Sequence, residues 1–438
     1  MINQSERSRA YVWFVVALLT LAYVLSFVDR QILSLLVGPI RRDLGIGDTQ
    51  MSLLMGLSFA LFYTVCGIPL ARWADTRSRR GLIVFGVLAW SLATAACGLA
   101  QHYAQMFLAR IGVGVGEAAL SPAAYSLIAD TVPQQQRATA ISIYSMGISL
   151  GSGIAYLLGG LIIEFASARG DLVLPLLGAI RPWQTVFLVL GGIGVLFALL
   201  LLAIREPPRS AERAARLPFA AVLAELRANK RVLAAHHFGF GLIALASYAG
   251  SAWLPSFFIR VHGWSPAKVG MIYGVVVTIF GVLGVVGAGA IADRLQRRGV
   301  SDATMRLGLW SALLAIPCVI ALLRVHSDVA ATFWLIPVVL LMAAPFGVAA
   351  AGVQEIVPPA MRAQASAIYL FVINLVGLGL GPTCVAVLTE TVFADDRAVG
   401  QSLMIVCVIA FAGAAALLGW GLAPFRLSYA RQAAGRPG

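Results

Sequence analysis

Asp29, Arg30, Arg110 and Glu117 are the charged side chains that fall inside long apolar runs of this 438-residue chain; the other acids and bases can be assigned to the segments between runs. A charge at the centre of a membrane helix costs about 2.5 to 3.5 kcal/mol on insertion scales, which is large beside the roughly 5 to 15 kcal/mol that holds a fold together. Such residues must face protein or water. Arg110 and Glu117 are two helical turns apart, so they share one helix face about 10.5 Å apart along the axis, whereas Asp29 and Arg30 diverge by about 100°. A carboxylate beside a cation, alternately dry and wet, can load and release a proton. Asp29 and Glu117 are therefore candidate proton carriers, with Arg30 and Arg110 as their counter-ions or as clamps for an anionic group. The plainer alternative is that the acids and bases neutralise one another and only fix the helices. Against it, a buried ion pair seldom stabilises better than apolar packing.

The elements that must hold these residues are membrane helices. The chain is 60% hydrophobic and 12% charged, with a mean hydropathy of +0.88, a balance that belongs to lipid rather than water as solvent. Apolar runs recur from Tyr11 to Leu422, each long enough to cross a hydrocarbon core of roughly 30 Å. We place six spans near 11–37, 51–70, 82–101, 105–128, 139–163 and 183–203, and six more near 234–258, 268–291, 306–324, 332–354, 364–388 and 399–422. The expected organisation is a six-helix bundle over 1–203, a cytoplasmic linker over 204–232 and a second six-helix bundle over 233–438. The first run, Tyr11 to Val28, is too long for a cleaved signal and lacks a small-residue cleavage site, so the mature chain is expected to start near Met1.

The net charge of +13 would suggest nucleic acid in a soluble protein, but the basic residues lie between apolar runs and are better explained by topology, with no nucleic-acid partner. With both termini and the linker in the cytoplasm, the 32 basic residues divide as 22 inside, 8 outside and 2 within spans. Short positive loops favour the cytoplasmic side, so a multi-pass protein of a bacterial inner membrane with both ends inside is expected.

An internal repeat marks two homologous halves. Ala71-Arg-Trp-Ala-Asp75-Thr-Arg-Ser-Arg79-Arg80 aligns with Gly289-Ala-Ile-Ala-Asp293-Arg-Leu-Gln-Arg297-Arg298 at an offset of 218 (293 − 75). Val132-Pro-Gln-Gln-Gln-Arg137-Ala-Thr-Ala-Ile-Ser-Ile-Tyr144 aligns with Val357-Pro-Pro-Ala-Met-Arg362-Ala-Gln-Ala-Ser-Ala-Ile-Tyr369 at an offset of 225 (357 − 132), with seven of thirteen positions identical.

At these residues the chain resembles the major facilitator superfamily, whose signature is a Gly-x-Leu-Ala-Asp-Arg-x-Gly-Arg-Lys-like loop after the second and eighth spans. The first copy departs from it with Ala71 and Ser78 in place of glycines, the second with Gln296. Arg110-Ile-Gly112-Val-Gly114-Val-Gly116 resembles the fourth-span signature. Within the superfamily the chain looks most like the spinster-type transporters. That narrower likeness is carried by Val28-Asp29-Arg30, by Arg110 to Ala118, and by Gly151-Ser-Gly153.

The resemblance implies an all-α fold of about twelve transmembrane helices in two pseudo-symmetric six-helix bundles, with spans one and four lining a central cavity. It implies secondary transport by alternating access, no enzyme activity and no cofactor. Eukaryotic members are associated with sphingolipid or lysolipid export, but the substrate of a bacterial relative does not follow from that. Asp75, Arg79, Arg80, Asp130, Arg137, Asp293 and Arg297, at span ends in or beside the repeated segments, are the expected conformational latch.

In the second half, the candidate cavity residues are uncharged: Ser247, Tyr248, Ser251 and Trp253 on span seven and Asn374 on span eleven. A charged first half facing an apolar, aromatic second half suits an amphipathic substrate with an anionic head, such as a lysolipid or a sphingolipid-like molecule, moved with protons by a monomer. A multidrug exporter that prefers cations, or an uncoupled uniporter or scramblase, is the alternative. The glycines at 112, 114 and 116 sit in mid-span with no preceding strand, so they signal close helix packing rather than a phosphate loop. Five cysteines inside apolar runs have no pairing or metal-site spacing, and no metal site is expected. The five histidines, His102, His236, His237, His262 and His326, are expected to be solvated or interfacial. No nucleophile with a base, no paired carboxylates on one loop and no Gly-Lys-Ser/Thr loop occur, which argues against a lipid transferase and against ATP drive.

Overall fold

The structure, a computed structural model, describes residues 9–133, 136–169, 171–174, 178–207, 227–358 and 361–434. Among the described residues, twelve helices are long and apolar enough to cross a membrane. The first six are span one (Arg9–Leu35), two (Asp48–Ala74), three (Arg79–Cys97), four (Tyr103–Thr131), five (Thr139–Phe165) and six (Pro182–Ala203). The second six are span seven (Lys230–Arg260), eight (Pro266–Arg297), nine (Ala303–Arg324), ten (Asp328–Glu355), eleven (Gln364–Phe393) and twelve (Asp396–Gln432). Among the described residues the fold is thus all-α apart from a short hairpin, strands β1 (Leu172–Leu174) and β2 (Gly178–Ile180), that precedes span six.

Contacts group Met1–Ala211 with Ser265–Gly274 as one unit, and Glu212–Trp264 with Val275–Gly438 as the other. The start of span eight therefore belongs with the first unit, where Tyr273 meets Tyr156 of span five at 4.6 Å between ring centres. Most of the expected linker, 208–226, lies outside the described residues.

In the first unit span one packs along span five and span three along span six; in the second, span seven packs along span twelve and span nine along span ten. Trp90, Trp183, Tyr144 and Tyr156 fill the first interior and Trp253, Phe240, Phe257 and Phe258 the second. Phe85, Leu108, Leu196, Val329 and Ile409 point outward with 60% to 80% of their surface free. A water-soluble protein would bury such side chains; here they are the lipid-facing surface.

Local signals place the breaks. Ser78 caps span three, its Oγ accepting from Gly81 N at 2.9 Å. Pro182 opens span six, where a missing N–H leaves no intrahelical bond unmade. Span four is interrupted at Ala118 and Ala119, between the helices Tyr103–Glu117 and Leu120–Thr131. Spans eight and eleven contain π-helical turns at Val277–Gly281, Ile373–Leu380 and Leu388–Phe393, a geometry that re-aims side chains and recurs at functional sites.

Candidate functional site

The four intramembrane charges come together in the first unit. Span one supplies Ser26, Asp29 and Arg30. Span four supplies Arg110 and, at its interruption, Glu117. Glu117 Oε2 accepts from Ser26 Oγ at 2.5 Å and from Arg30 Nε at 2.7 Å, with Arg30 Nη2 at 2.6 Å. Arg30 stands over three aromatic faces, with its guanidinium carbon 4.7 Å from the Phe27 ring centre, 4.4 Å from Phe59 and 4.9 Å from Tyr63. A guanidinium so placed gains attraction from the ring quadrupoles as well as from its carboxylate.

The shared helix face of Arg110 and Glu117 does not make them partners. Arg110 donates from Nε to the Leu54 carbonyl at 3.2 Å and lies 5.7 Å from the Phe59 ring centre. Asp29 Oδ2 accepts from Thr94 of span three at 3.1 Å. Arg110 is 1% exposed, Glu117 1% and Asp29 6%. Among the described residues, Arg110 Nη2 and Glu117 Oε1 are buried without a hydrogen-bond partner, so the cluster keeps one donor and one acceptor in hand. The span-four glycines make this approach possible: a Cβ on Gly114 would lie 2.9 Å from the Phe59 carbonyl oxygen, and one on Gly116 would lie 2.7 Å from Trp90 N. The expectation of close helix packing at these glycines therefore agrees with the geometry.

A second cluster closes one end of the first unit. Arg79, 1% exposed, pairs with Asp130 and donates to Ser126 Oγ at 3.1 Å and to the Pro207 carbonyl at 2.8 Å. Its Nε meets Glu206 Oε1 at 2.8 Å. Glu206 Oε2 also accepts from Arg80 N at 2.8 Å and Ser78 Oγ at 2.9 Å. Partial burial pushes the Glu206 carboxyl up, but these hydrogen bonds outweigh it and hold the group below the usual range. Glu206 read as an ordinary linker charge in the sequence; the signal that could have found it is a carboxylate directly after span six, followed by proline. Arg137 donates to the Val132 carbonyl at 3.2 Å. The side chain of Asp75 lies outside what the structure describes.

The repeated half is built differently. Asp293 and Arg297 are exposed, and Glu355, at the position 225 residues after Asp130, accepts from Gln296 Nε2 at 2.6 Å and Thr304 Oγ1 at 3.2 Å. Of the second-half candidates, Ser247 donates to the Ile243 carbonyl at 2.9 Å and the Met342 carbonyl at 3.1 Å. Tyr248 lies edge-on to Phe346 and is half-buried, as is Asn374 in a π-helical turn. Trp253 is fully enclosed and donates its Nε1–H to the Pro382 carbonyl at 2.9 Å, which makes it a packing residue between spans seven and eleven. The expectation of solvated histidines is corrected for three of them. His236 and His237 are 0% and 5% exposed, and the His262 side chain is 3% exposed beside Asp328, because aromatic rings set edge-on or tilted enclose them: Phe240 and Tyr369 at the first two, Phe257, Phe258 and Trp264 at His262.

Residues 19–382 match the Major Facilitator Superfamily. An MFS-type efflux pump of Mycolicibacterium smegmatis is 30% identical over 408 residues, covering 90% of this chain and 89% of that protein. Human protein spinster homolog 1 is 28% identical over 438 residues, covering 92% of this chain and 80% of its own length. Among solved structures, a bacterial homolog to the human lysosomal transporter Spinster, captured inward-facing and unoccupied, aligns with a TM-score of 0.79 at 27% identity over 99% of this chain and 100% of that one. With twelve apolar spans, repeated signature loops and a buried ionic cluster on spans one and four, the chain belongs to the major facilitator superfamily as a spinster-type transporter.

Proposed function

We propose that the chain is a proton-coupled secondary transporter that works by alternating access on an amphipathic organic molecule with an anionic head. The observation that carries this reading is the Arg30–Glu117 pair: a guanidinium, its side chain 12% exposed, that meets one oxygen of a fully buried carboxylate, with Asp29 beside it and an unused acceptor on the same carboxylate. Protonating Glu117 removes the charge that holds Arg30. The freed guanidinium then offers its planar fork to a phosphate or carboxylate, while Arg110 Nη2 supplies a second donor. Proton and anion would load together, since each removes the penalty the other incurs in a dry site. Asp29 is the second carrier.

In the second unit, Tyr248, Phe346 and the π-helical stretch around Asn374 form an apolar, aromatic region with few polar groups. The substrate class we favour is a lysolipid or sphingolipid-like molecule. The 22 to 8 distribution of basic residues supports both termini in the cytoplasm. Arg79, Asp130 and Glu206 would then form a cytoplasmic latch that biases the conformational equilibrium without touching substrate. The chain acts as a monomer and needs no cofactor.

A second reading has its own observation. Phe27, Phe59 and Tyr63 form an aromatic face around Arg30 that would also take a lipophilic cation, and one relative is an efflux pump. The two separate by charge. Binding of a single-chain anionic lipid, its neutral analogue and a lipophilic cation should be compared in wild type, Arg30→Ala and Arg110→Ala. Preference for the cation, or equal anion binding after both substitutions, would sink the anionic-lipid reading.

A further inference from the structure

We infer, on the reading of Glu117 as a proton carrier, that Ser26 is its positioning residue: a hydroxyl that donates to the carboxylate and, once Glu117 is protonated, reverses to accept from it. Ser26 and Glu117 are each 1% exposed. Ser26 Oγ donates to Glu117 Oε2 at 2.5 Å and accepts from Arg30 Nη2 at 3.4 Å. Arg30, one helical turn further along the same face, also donates to Oε2 from Nε, while Oε1 is buried without a hydrogen-bond partner. Both partners of the carboxylate therefore act as donors, which is what an ionised Glu117 requires.

Adding a proton inverts that requirement. The carboxyl then carries an O–H of its own, and a buried O–H needs an acceptor. A guanidinium has no lone pair to offer, whereas a hydroxyl both donates and accepts. Of the two groups bonded to Glu117, only Ser26 can turn round. The other charged groups of the cluster are held elsewhere: Asp29 accepts from Thr94 of span three, and Arg110 donates to the Leu54 carbonyl. Tyr63 of span two lies against Arg30, Tyr144 of span five stacks on Tyr23 of span one at 4.5 Å, and Cys97 of span three is fully buried. Among the described residues, none of these side chains is hydrogen-bonded to Glu117.

The reversed hydroxyl has a place to point. Thr20, Ser58, Ser91 and Ser152 each give their hydroxyl to the carbonyl four residues back on their own helix, at 2.8, 3.3, 2.6 and 2.8 Å. For Ser26 that carbonyl belongs to Ala22, within the same helix Arg9–Leu35. Rotation of the serine side chain and its hydroxyl between staggered positions then redirects the O–H from Glu117 to Ala22. Ser26 keeps its own proton throughout, and the single proton gained is the one on Glu117. Arg30 meanwhile loses the charge on Oε2 and shares the Ser26 oxygen with a competing donor. Two changes thus release the guanidinium together, and Ser26 links the protonation of Glu117 to the availability of Arg30.

Infrared difference spectra of the full-length protein in lipid nanodiscs, recorded as the pH is lowered, read the protonated carboxyl directly, with the Glu117 band assigned by its loss in Glu117→Gln. The expected wild-type band lies at the frequency of a carboxyl whose O–H is hydrogen-bonded. Ser26→Ala shifts it to the higher frequency of a free carboxyl, and Ser26→Thr, which keeps the hydroxyl, restores the wild-type position. An unshifted band in folded Ser26→Ala would overturn the proposal. So would a wild-type band already at the free-carboxyl frequency, a result that decides even where the variant does not fold. Failure of the proton-carrier reading looks different: no Glu117 band appears on acidification of the wild type, and the role of Ser26 falls with it.

Discussion

Glu117→Gln replaces a charged acceptor by a neutral one of nearly the same shape. Gln keeps an oxygen for Ser26 and Arg30, whose donors lie 2.5 Å to 2.7 Å from Glu117 Oε2, so the change is chiefly the loss of charge. The pair is little screened, with Arg30 and Glu117 side chains 12% and 0% exposed. Unit charges about 4 Å apart attract by about 4 kcal/mol at an effective dielectric of about 20. Part of that is returned, because a buried carboxylate no longer has to be desolvated, and the expected loss of stability is about 1 to 3 kcal/mol. Transport should respond more sharply. In proteoliposomes, uptake driven by an imposed pH gradient should fall tenfold or more, while exchange of labelled against unlabelled substrate at equal pH persists. Exchange keeps a folded but uncoupled carrier distinct from a broken one. Asp29→Asn alone should weaken the gradient response, and the double variant should abolish it. Gradient-driven uptake that is unchanged in the double variant would refute the proton-carrier assignment.

The Glu206 carboxyl is held below its ordinary value in the folded protein, so its contacts stabilise above the usual carboxylate range and are lost as pH falls through the lowered value. Between pH 7 and acid pH, wild type should therefore lose more thermal stability than Glu206→Gln; equal losses in detergent unfolding would show that the contact does not matter. Gly114→Ala sets a methyl group 2.9 Å from the Phe59 carbonyl oxygen and should cost about 1 to 3 kcal/mol by overpacking, read as a lower unfolding midpoint. Trp253→Phe removes the bond to Pro382; it should lower stability while leaving substrate affinity within about twofold, and a large affinity loss would return Trp253 to the binding site. A single cysteine at exposed Asp395 should react with an impermeant reagent from outside intact cells, and one at exposed Arg297 should not; the reverse pattern would invert the topology.

What the amino-acid sequence determined by itself was set by composition and period. Twelve apolar runs each long enough to span a bilayer must be helices, since backbone polar groups in lipid have no other partners, and the twelve observed spans coincide with those runs to within several residues at most ends. The repeat of Asp75 to Arg80 at Asp293 to Arg298 is equally local, and the family follows from it. Charge inside a span is also a local property, so Asp29, Arg30, Arg110 and Glu117 could be singled out before any contact was known. Who pairs with whom is not local. Arg110 and Glu117 share a helix face, yet Glu117 takes Arg30 from another helix, because the interruption after Glu117 and the missing Cβ at Gly114 decide which helices approach. The same holds for Glu206, 127 residues from the arginine it meets, for Trp253, whose indole N–H is used by Pro382, and for His236 and His237, which could equally have faced water. Membrane helices differ little in the apolar surface they offer one another, so a few glycines, helix breaks and polar contacts choose among packings that hydropathy leaves nearly equal. Those choices exist only in the tertiary structure.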